Sequence, residues 1–444
     1  MTLPLLPRID HWATPRRLLL ATLVIGVLAR LAAIILASDV DLSSAQIWEY
    51  GDQARCAFST GGDLCLRFHD VTPYASAYMP PLASYLWLGL FHLFGETSLA
   101  PTAYLVLSLA AAAACIALLF DLTLQITASR WASAGAAAML ALYPTFVFVS
   151  ATYHTTNIAL MLNLLLLRLA IQAARGPVKP MSWFAMGVVC ALCALVRSEL
   201  LAVTPLIVAL ASAWRWPNLR TMLGILVVAG LAMMLTLAPW VARNYATFHQ
   251  VIPVANSSGY NLWKGFGHAA NGSGNFIESS PQGAAESHAI RALAPFGPNF
   301  EVRQEAAFKH AAIAAIESAS PARLIGLTLN KIAMLWVFDW TDPLTHKVGY
   351  WVPWLVANLL AAVGAARLLV RRTDAFDPLP ASFVAAMLIL LTGVYALTAV
   401  HARYRMHIEP FLFILAGIGL KALGERLLPF VFRPAAAAPL PSAS

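Results

Sequence analysis

Charge is what this chain has least of. Asp, Glu, Lys and Arg make up only 11% of its 444 residues, against about 25% in a soluble globular protein. That is too little to cover a water-facing surface. The strict alternation of a membrane barrel strand is missing too, so any crossing of lipid must be helical, because lipid offers the backbone no hydrogen-bond partners. No metal-ligand set with dedicated spacing occurs, and no phosphate-cradling glycine-rich loop stands beside a strand. Neither a metal nor another cofactor is therefore expected. Internal repeats are absent as well.

What fills the chain is apolar: 60% of residues are hydrophobic and the mean hydropathy is +0.71. After a first run at about Leu18 to Ala37, others lie near 80–96, 101–123, 131–149, 152–173, 181–214, 220–240, 351–370, 380–399 and 408–424. Runs of about 20 residues suffice to cross about 30 Å of hydrocarbon. We expect an all-α polytopic membrane protein of about 10–12 helices, one domain over 1–430, with a disordered Ala/Pro/Ser-rich tail at 431–444. The 181–214 stretch is interrupted by Arg197-Ser198-Glu199, giving one kinked helix or two short ones.

The net charge of +8 is read as span-flanking Arg and Lys that orient the helices, not as a nucleic-acid surface. Arg8, Arg16 and Arg17 place the N-terminus inside, and Arg30 within the first run, with no small-residue cleavage pattern, marks a retained first helix rather than a signal peptide. Arg175 with Lys179, Arg215 with Arg220, and Arg371 with Arg372 mark further inside loops. These signals are mutually consistent if 324–339 lies along the interface or dips in without crossing, and if one element among 80–123 fails to cross simply.

Two long polar segments remain, at about 38–79 and 242–323, expected as large loops on one outer face. Phe300 to Ser318 has helical spacing and predicts a surface helix. Of five cysteines, Cys115, Cys190 and Cys193 lie in apolar runs and are read as packing residues. Cys56 and Cys65 share the first loop and can pair if it faces an oxidising compartment. Asn256-Ser-Ser and Asn271-Gly-Ser match a glycosylation acceptor pattern that matters only in an equipped host.

The chemistry-bearing residues sit in these loops. The first holds Asp39, Asp41, Glu49, Asp52, Asp63 and Asp70, and ends Tyr78-Met79-Pro80-Pro81-Leu82; the second opens with Arg243-Asn244-Tyr245 and continues Tyr260-Asn261-Leu262-Trp263-Lys264. His401-Ala402-Arg403-Tyr404-Arg405-Met406-His407 lies between two later spans. Carboxylates just outside a membrane suit a base that deprotonates a hydroxyl. Arginines at span ends suit a phosphate at headgroup level, and aromatics interleaved with Asn and Gly suit a sugar. Each also has a plain alternative, since loop carboxylates are often only solvated and interfacial Arg and Trp often only anchor helices.

The order WEYG, MPPL, APWVARNY, GYNLWKG and ARYRMHIEP, over about residues 16 to 424, resembles bacterial family-39-type glycosyltransferases. These are GT-C-fold relatives of the protein O-mannosyltransferases and the lipid A aminoarabinose transferases. The resemblance implies a polyprenyl-phosphate-linked sugar donor, an extracytoplasmic active site in the bacterial inner membrane, and an acidic residue in the first outer loop. Glu49 matches that position best, with Asp41 and Asp52 as competitors. Aminoarabinose transferases have a lysine before the two prolines where Met79 stands here, which leaves Arg243 as the main donor-phosphate candidate, then Arg403 and Arg405. Tyr78, Tyr260, Asn261, Lys264 and His154 are the expected substrate-binding residues. In the implied mechanism Glu49 or Asp41 deprotonates an acceptor hydroxyl of a glycan, lipid or protein, and the arginines stabilise the departing phosphate. The competing reading, a transporter or lipid flippase, would ordinarily show inverted repeats and mid-membrane charges.

Overall fold

The computed structural model describes residues 13–67, 72–214, 218–297, 299–370 and 376–427. Arg8, Asp70, Arg215, Arg371, Arg372 and the tail at 431–444 lie outside the described residues. Within them the chain is almost wholly helical, with a single two-stranded antiparallel ribbon, β1 (Cys65–Leu66) and β2 (Tyr74–Ala75).

Six helices are long and apolar enough to cross a membrane. They are α1 (Pro15–Ala37), α4 (Leu99–Thr127), α7 (Thr156–Arg175), α10 (Leu219–Phe248), α16 (Val348–Val370) and α17 (Pro378–Ala396). Two of them open on clear start signals. Thr14 caps the first turn of α1 with Pro15 directly behind it, and Asp377 does the same before Pro378. The outward faces of α1 and α10 carry Leu20, Leu28, Leu223 and Leu231 in the open, surfaces suited to lipid.

Shorter helices fill the bundle. The expected span near 80–96 is α3 (Pro81–Phe94), 14 residues long, or about 21 Å. It is too short to cross alone. The 131–149 run divides into α5 (Arg130–Leu142) and α6 (Pro144–Val149) at Pro144. The 181–214 run is two helices, α8 (Pro180–Val196) and α9 (Leu200–Ala213), separated where Arg197 turns extended. The last helix, α18 (Glu409–Leu427), runs through the middle of the bundle. A Cβ on Gly417 would come within 2.3 Å of the Ala132 carbonyl, and one on Gly419 within 2.0 Å of the Leu360 carbonyl. Only glycine permits these two approaches, to α5 on one side and α16 on the other.

One charged group inside the bundle is tied to backbone. Arg30 of α1 is buried and donates to the carbonyls of Leu140 (2.9 Å) and Ala141 (2.6 Å), closing the C-terminal end of α5. Arg30→Ala removes both donors, and each carbonyl left bare is expected to cost about 1–3 kcal/mol. Unfolding in detergent should therefore begin at clearly lower temperature; an unchanged melting curve would show that lipid or water replaces the guanidinium.

The two ends of the bundle differ. At one, ion pairs join helix ends: Arg168 to Asp121 at 2.7 Å, Arg175 to Asp377, and Arg367 to Glu425 at 2.9 Å. At the other, the two long polar segments pack together. These contribute α2 (Trp48–Thr60), the ribbon, α11 (Ser258–Phe266), α12 (Phe276–Ser279), α13 (Pro281–Ala292) and α14 (Phe300–Ser318). The helix expected at 300–318 is thus present. It meets α15 (Pro321–Trp336) at 119°, so the two form no straight span.

Candidate functional site

The site grows from α2. Trp48 starts it in the left-handed region, φ 59°, a conformation that costs a bulky residue about 1–3 kcal/mol and clusters at functional sites. Its ring is held edge-on against His154 at 5.6 Å. Glu49, Asp52 and Cys56 follow at spacings of three and four, which puts them on one face of the helix. That face lines a cavity of about 620 Å³. Phe300, Glu301, Glu305 and Phe308 of α14 form the facing wall, with Tyr78, Asn256, Tyr260 and Arg291 also lining it. Among the described residues neither Glu49 nor Asp52 has a hydrogen-bond or ion-pair partner. The Asp52 carboxyl is pushed above its usual range by burial, partly offset by Arg55 and reinforced by Glu49.

The walls are held by a buried relay. Ser84 donates to Gln53 (2.8 Å), Gln53 to Ser76 (2.7 Å), and Ser76 to Glu301 (2.7 Å); the Ala77 amide also donates to Glu301 (2.9 Å). This chain ties α2, α3, the ribbon segment and α14 to one another. Cys56 and Cys65 form a disulfide that fixes the far end of α2 to β1. Burial raises Glu301 to about 7. An unfolded glutamate releases its proton near the ordinary carboxylate value, so the folded state binds more protons between about 4.5 and 7, and stability falls as pH rises through that window. The stability difference between wild type and Glu301→Gln should therefore shrink from pH 5 to pH 7.5, and parallel pH profiles would contradict this.

Beside the cavity lies a cationic group. Lys264 sits 3.1 Å from Glu278, with its ammonium 4.6 Å from the Tyr260 ring centre. Burial lowers it, against the pull of Glu278. Arg197, at the α8–α9 break, binds Glu199 at 2.6 Å and lies over the Tyr404 ring. Arg403 is exposed. All three bear on His401, which burial and then Arg403, Lys264 and Arg197 hold well below its ordinary value. The segment carrying His401 is pinned by the Gly274 amide donating to the Val400 carbonyl at 2.7 Å.

The sequence-expected residues thus divide. Glu49, Asp52, Tyr78 and Tyr260 line the cavity, and Lys264 and Arg403 form the cationic group next to it. His154 touches Trp48 at the edge of the site and shares a 2.7 Å hydrogen bond with Thr156. Asp41 does not line the cavity: its carboxylate accepts from the Ser43 amide at 3.0 Å, which lowers its pKa, and it borders an adjoining depression that shares Arg55 and Glu96 with the cavity. Asn261 donates back to the Ser257 carbonyl at 2.9 Å. Arg243 and Arg405 are both turned onto protein groups. Arg243 pairs with Asp63 and donates to the carbonyls of Leu64 (2.9 Å) and Ser76 (3.0 Å). Arg405 is fully buried and donates to the carbonyls of Met334 (2.9 Å), Leu335 (2.8 Å) and Val337 (3.0 Å) at the end of α15.

Sequence reasoning overlooked Arg197, Glu278, Glu301 and His401. For Arg197 the signal was present, a charged triplet inside an apolar run. Asn256, in the first glycosylation-like pattern, is buried.

No family model matches the sequence, and no curated protein does. Solved structures do. The archaeal oligosaccharyltransferase AglB from Archaeoglobus fulgidus, in complex with an inhibitory peptide and a dolichol-phosphate, overlaps 93% of this chain with 14% identity and a TM-score of 0.52. The fold is of the GT-C type. The apo form of the Archaeoglobus fulgidus oligosaccharyltransferase gives 0.50 at 13% identity, again over 93% of this chain. This chain spans about half the length of that protein, 51% in both cases. ArnT from Cupriavidus metallidurans overlaps 92% of this chain and 79% of its own at 15% identity, but a TM-score of 0.36 is too loose to bear on the fold.

Proposed function

We propose that this protein is an integral membrane glycosyltransferase that moves a sugar from a polyprenyl-phosphate-linked donor to an acceptor hydroxyl of a glycan, lipid or protein. The observation that carries this reading is Glu49, a carboxylate without a partner among the described residues that lines an aromatic-walled cavity. Glu49 takes the proton of the acceptor hydroxyl. The freed oxygen bonds to the anomeric carbon from the side opposite the phosphate, the carbon–oxygen bond to phosphate breaks, and its electron pair leaves with the phosphate. Arg403, Lys264 and Arg197 meet that growing charge. The GT-C fold is compatible with this, and the dolichol-phosphate on AglB makes a lipid phosphate a natural ligand.

The same reading assigns Arg243 and Arg405 to holding the outer segments, not the phosphate. It places the site on the extracytoplasmic face of a bacterial inner membrane, where the Cys56–Cys65 disulfide would persist. The test is transfer from a labelled polyprenyl-phosphate monosaccharide by protein in lipid discs, with a membrane extract as acceptor source. Label moving to an acceptor supports the reading; donor that binds without transfer, or that crosses the bilayer intact, favours a flippase.

A further inference from the structure

The charge balance of the cavity carries one step more. Five carboxylates and three guanidinium groups line it. The three guanidinium groups already have partners in the protein. Arg55 donates to the Leu42 carbonyl at 2.9 Å and lies 4.0 Å from Glu96. Arg67 donates to the Ser59 hydroxyl at 3.0 Å. Arg291 lies 3.5 Å from Glu278 and over the Tyr260 and Phe308 rings. Glu49 and Asp52, by contrast, meet the cavity with their acceptor oxygens unmatched among the described residues. A carboxylate accepts hydrogen bonds and donates none when ionised, so this wall welcomes hydroxyl donors and repels anions. Of the aromatic rings that line the cavity, Tyr78 and Tyr260 are half-buried and keep part of an apolar face of the kind a pyranose ring covers, whereas Phe300 and Phe308 are almost wholly buried.

We infer that the cavity holds a sugar ring that carries no negative charge, and that Asp52 is a specificity-determining residue that excludes acidic or phosphorylated sugars. This deepens the proposed function and rests on it for the identity of the partner, because the ring could belong to the donor or to the acceptor. The phosphate of the donor has its own place at Arg403 and Lys264. A second anion inside the cavity would face Glu49 and Asp52, with Arg67, whose partner among the described residues is the uncharged Ser59 hydroxyl, as the lining cation not set against a carboxylate. Like charges at about 6 Å from these two carboxylates oppose binding by roughly tenfold.

Ligand-observed NMR on the full chain in lipid discs tests this with a matched pair: a neutral methyl hexopyranoside and the corresponding hexuronic acid glycoside. Wild type should bind the neutral sugar at least about tenfold more tightly, with the gap narrowing as salt is added. Asp52→Lys should shrink or reverse it. Equal affinities, tighter binding of the uronate, or binding of neither would overturn the inference, and the salt titration on wild type decides the matter even if Asp52→Lys does not fold. Preloading identifies the source. Polyprenyl-phospho-sugar that displaces the glycoside, where bare polyprenyl phosphate does not, assigns the cavity to the donor's sugar; glycoside still bound beside the loaded donor assigns it to the acceptor. Both outcomes support a cavity for a sugar without negative charge. Failure to bind any polyprenyl phosphate would instead sink the proposed function and leave the neutral-over-acidic discrimination standing.

Discussion

Replacing Glu49 with Gln should lower the rate of sugar transfer by about 10²–10⁴-fold, the share a positioned general base supplies, while the donor still binds. The substitution keeps the size and hydrogen-bonding reach of the side chain and removes only its basicity. Because Glu49 has no partner among the described residues, nothing in the surrounding structure should lose an acceptor, and the variant should fold and melt like wild type. Single-turnover transfer with saturating donor, beside a separate donor-binding assay, distinguishes a lost chemical step from a lost site. Asp52→Asn should have a smaller effect on the rate constant, because Asp52 lies a turn further along the helix and is assigned to the cavity wall. Full activity in Glu49→Gln with loss in Asp52→Asn would exchange the two roles. Loss in neither would remove α2 from the chemistry altogether.

Glu49 is singled out by the resemblance carried by Trp48-Glu49-Tyr50-Gly51; that it lines the cavity together with Asp52 follows from their i, i+3 spacing, a property of the helix alone. The spans were legible on similar grounds, since apolar runs of sufficient length declare themselves. Arg403 and Lys264 were reachable too, being cations in outer segments. Arg243 shows where such reading ends. It has the right residue type at the end of a long apolar helix, yet its partner Asp63 stands 180 positions away in the chain. Only the packing of the second polar segment against the first reveals that its donors are already spent. Arg405 is buried against the end of α15 by a 3₁₀ turn whose course its own sequence does not dictate; its Nε and Nη2 are spent there, while Nη1 has no partner among the described residues. Glu301 was hidden differently. In the 300–318 helix it is one acidic residue among several, and only the arrival of Ser76 and Ala77 makes it a buried junction. Charge in the open can be read from a chain; charge that is tied down depends on its tertiary partner.

The second large effect is expected at Lys264 and Arg403. Lys264→Met and Arg403→Gln should each cut the rate of transfer by about 10²–10³-fold, as expected for losing one group that meets developing charge, with the protein still folded. Lys264→Met also frees Glu278, which keeps Tyr260 and Arg291 as partners, so the loop should survive the loss. Arg243→Ala and Arg405→Ala should behave in the opposite way. Arg405→Ala strips donors from three carbonyls at the end of α15, each worth about 1–3 kcal/mol when left bare in a buried setting, and Arg243→Ala releases the ribbon from α10. For these two the expected loss is in folded yield and melting temperature, with the rate per folded molecule little changed. Monodispersity and melting measured beside single-turnover rates decide between the pairs. A well-folded Arg243→Ala protein that binds donor but cannot transfer would return the leaving phosphate to Arg243, and would mean that its bonds to Leu64 and Ser76 open when the donor arrives.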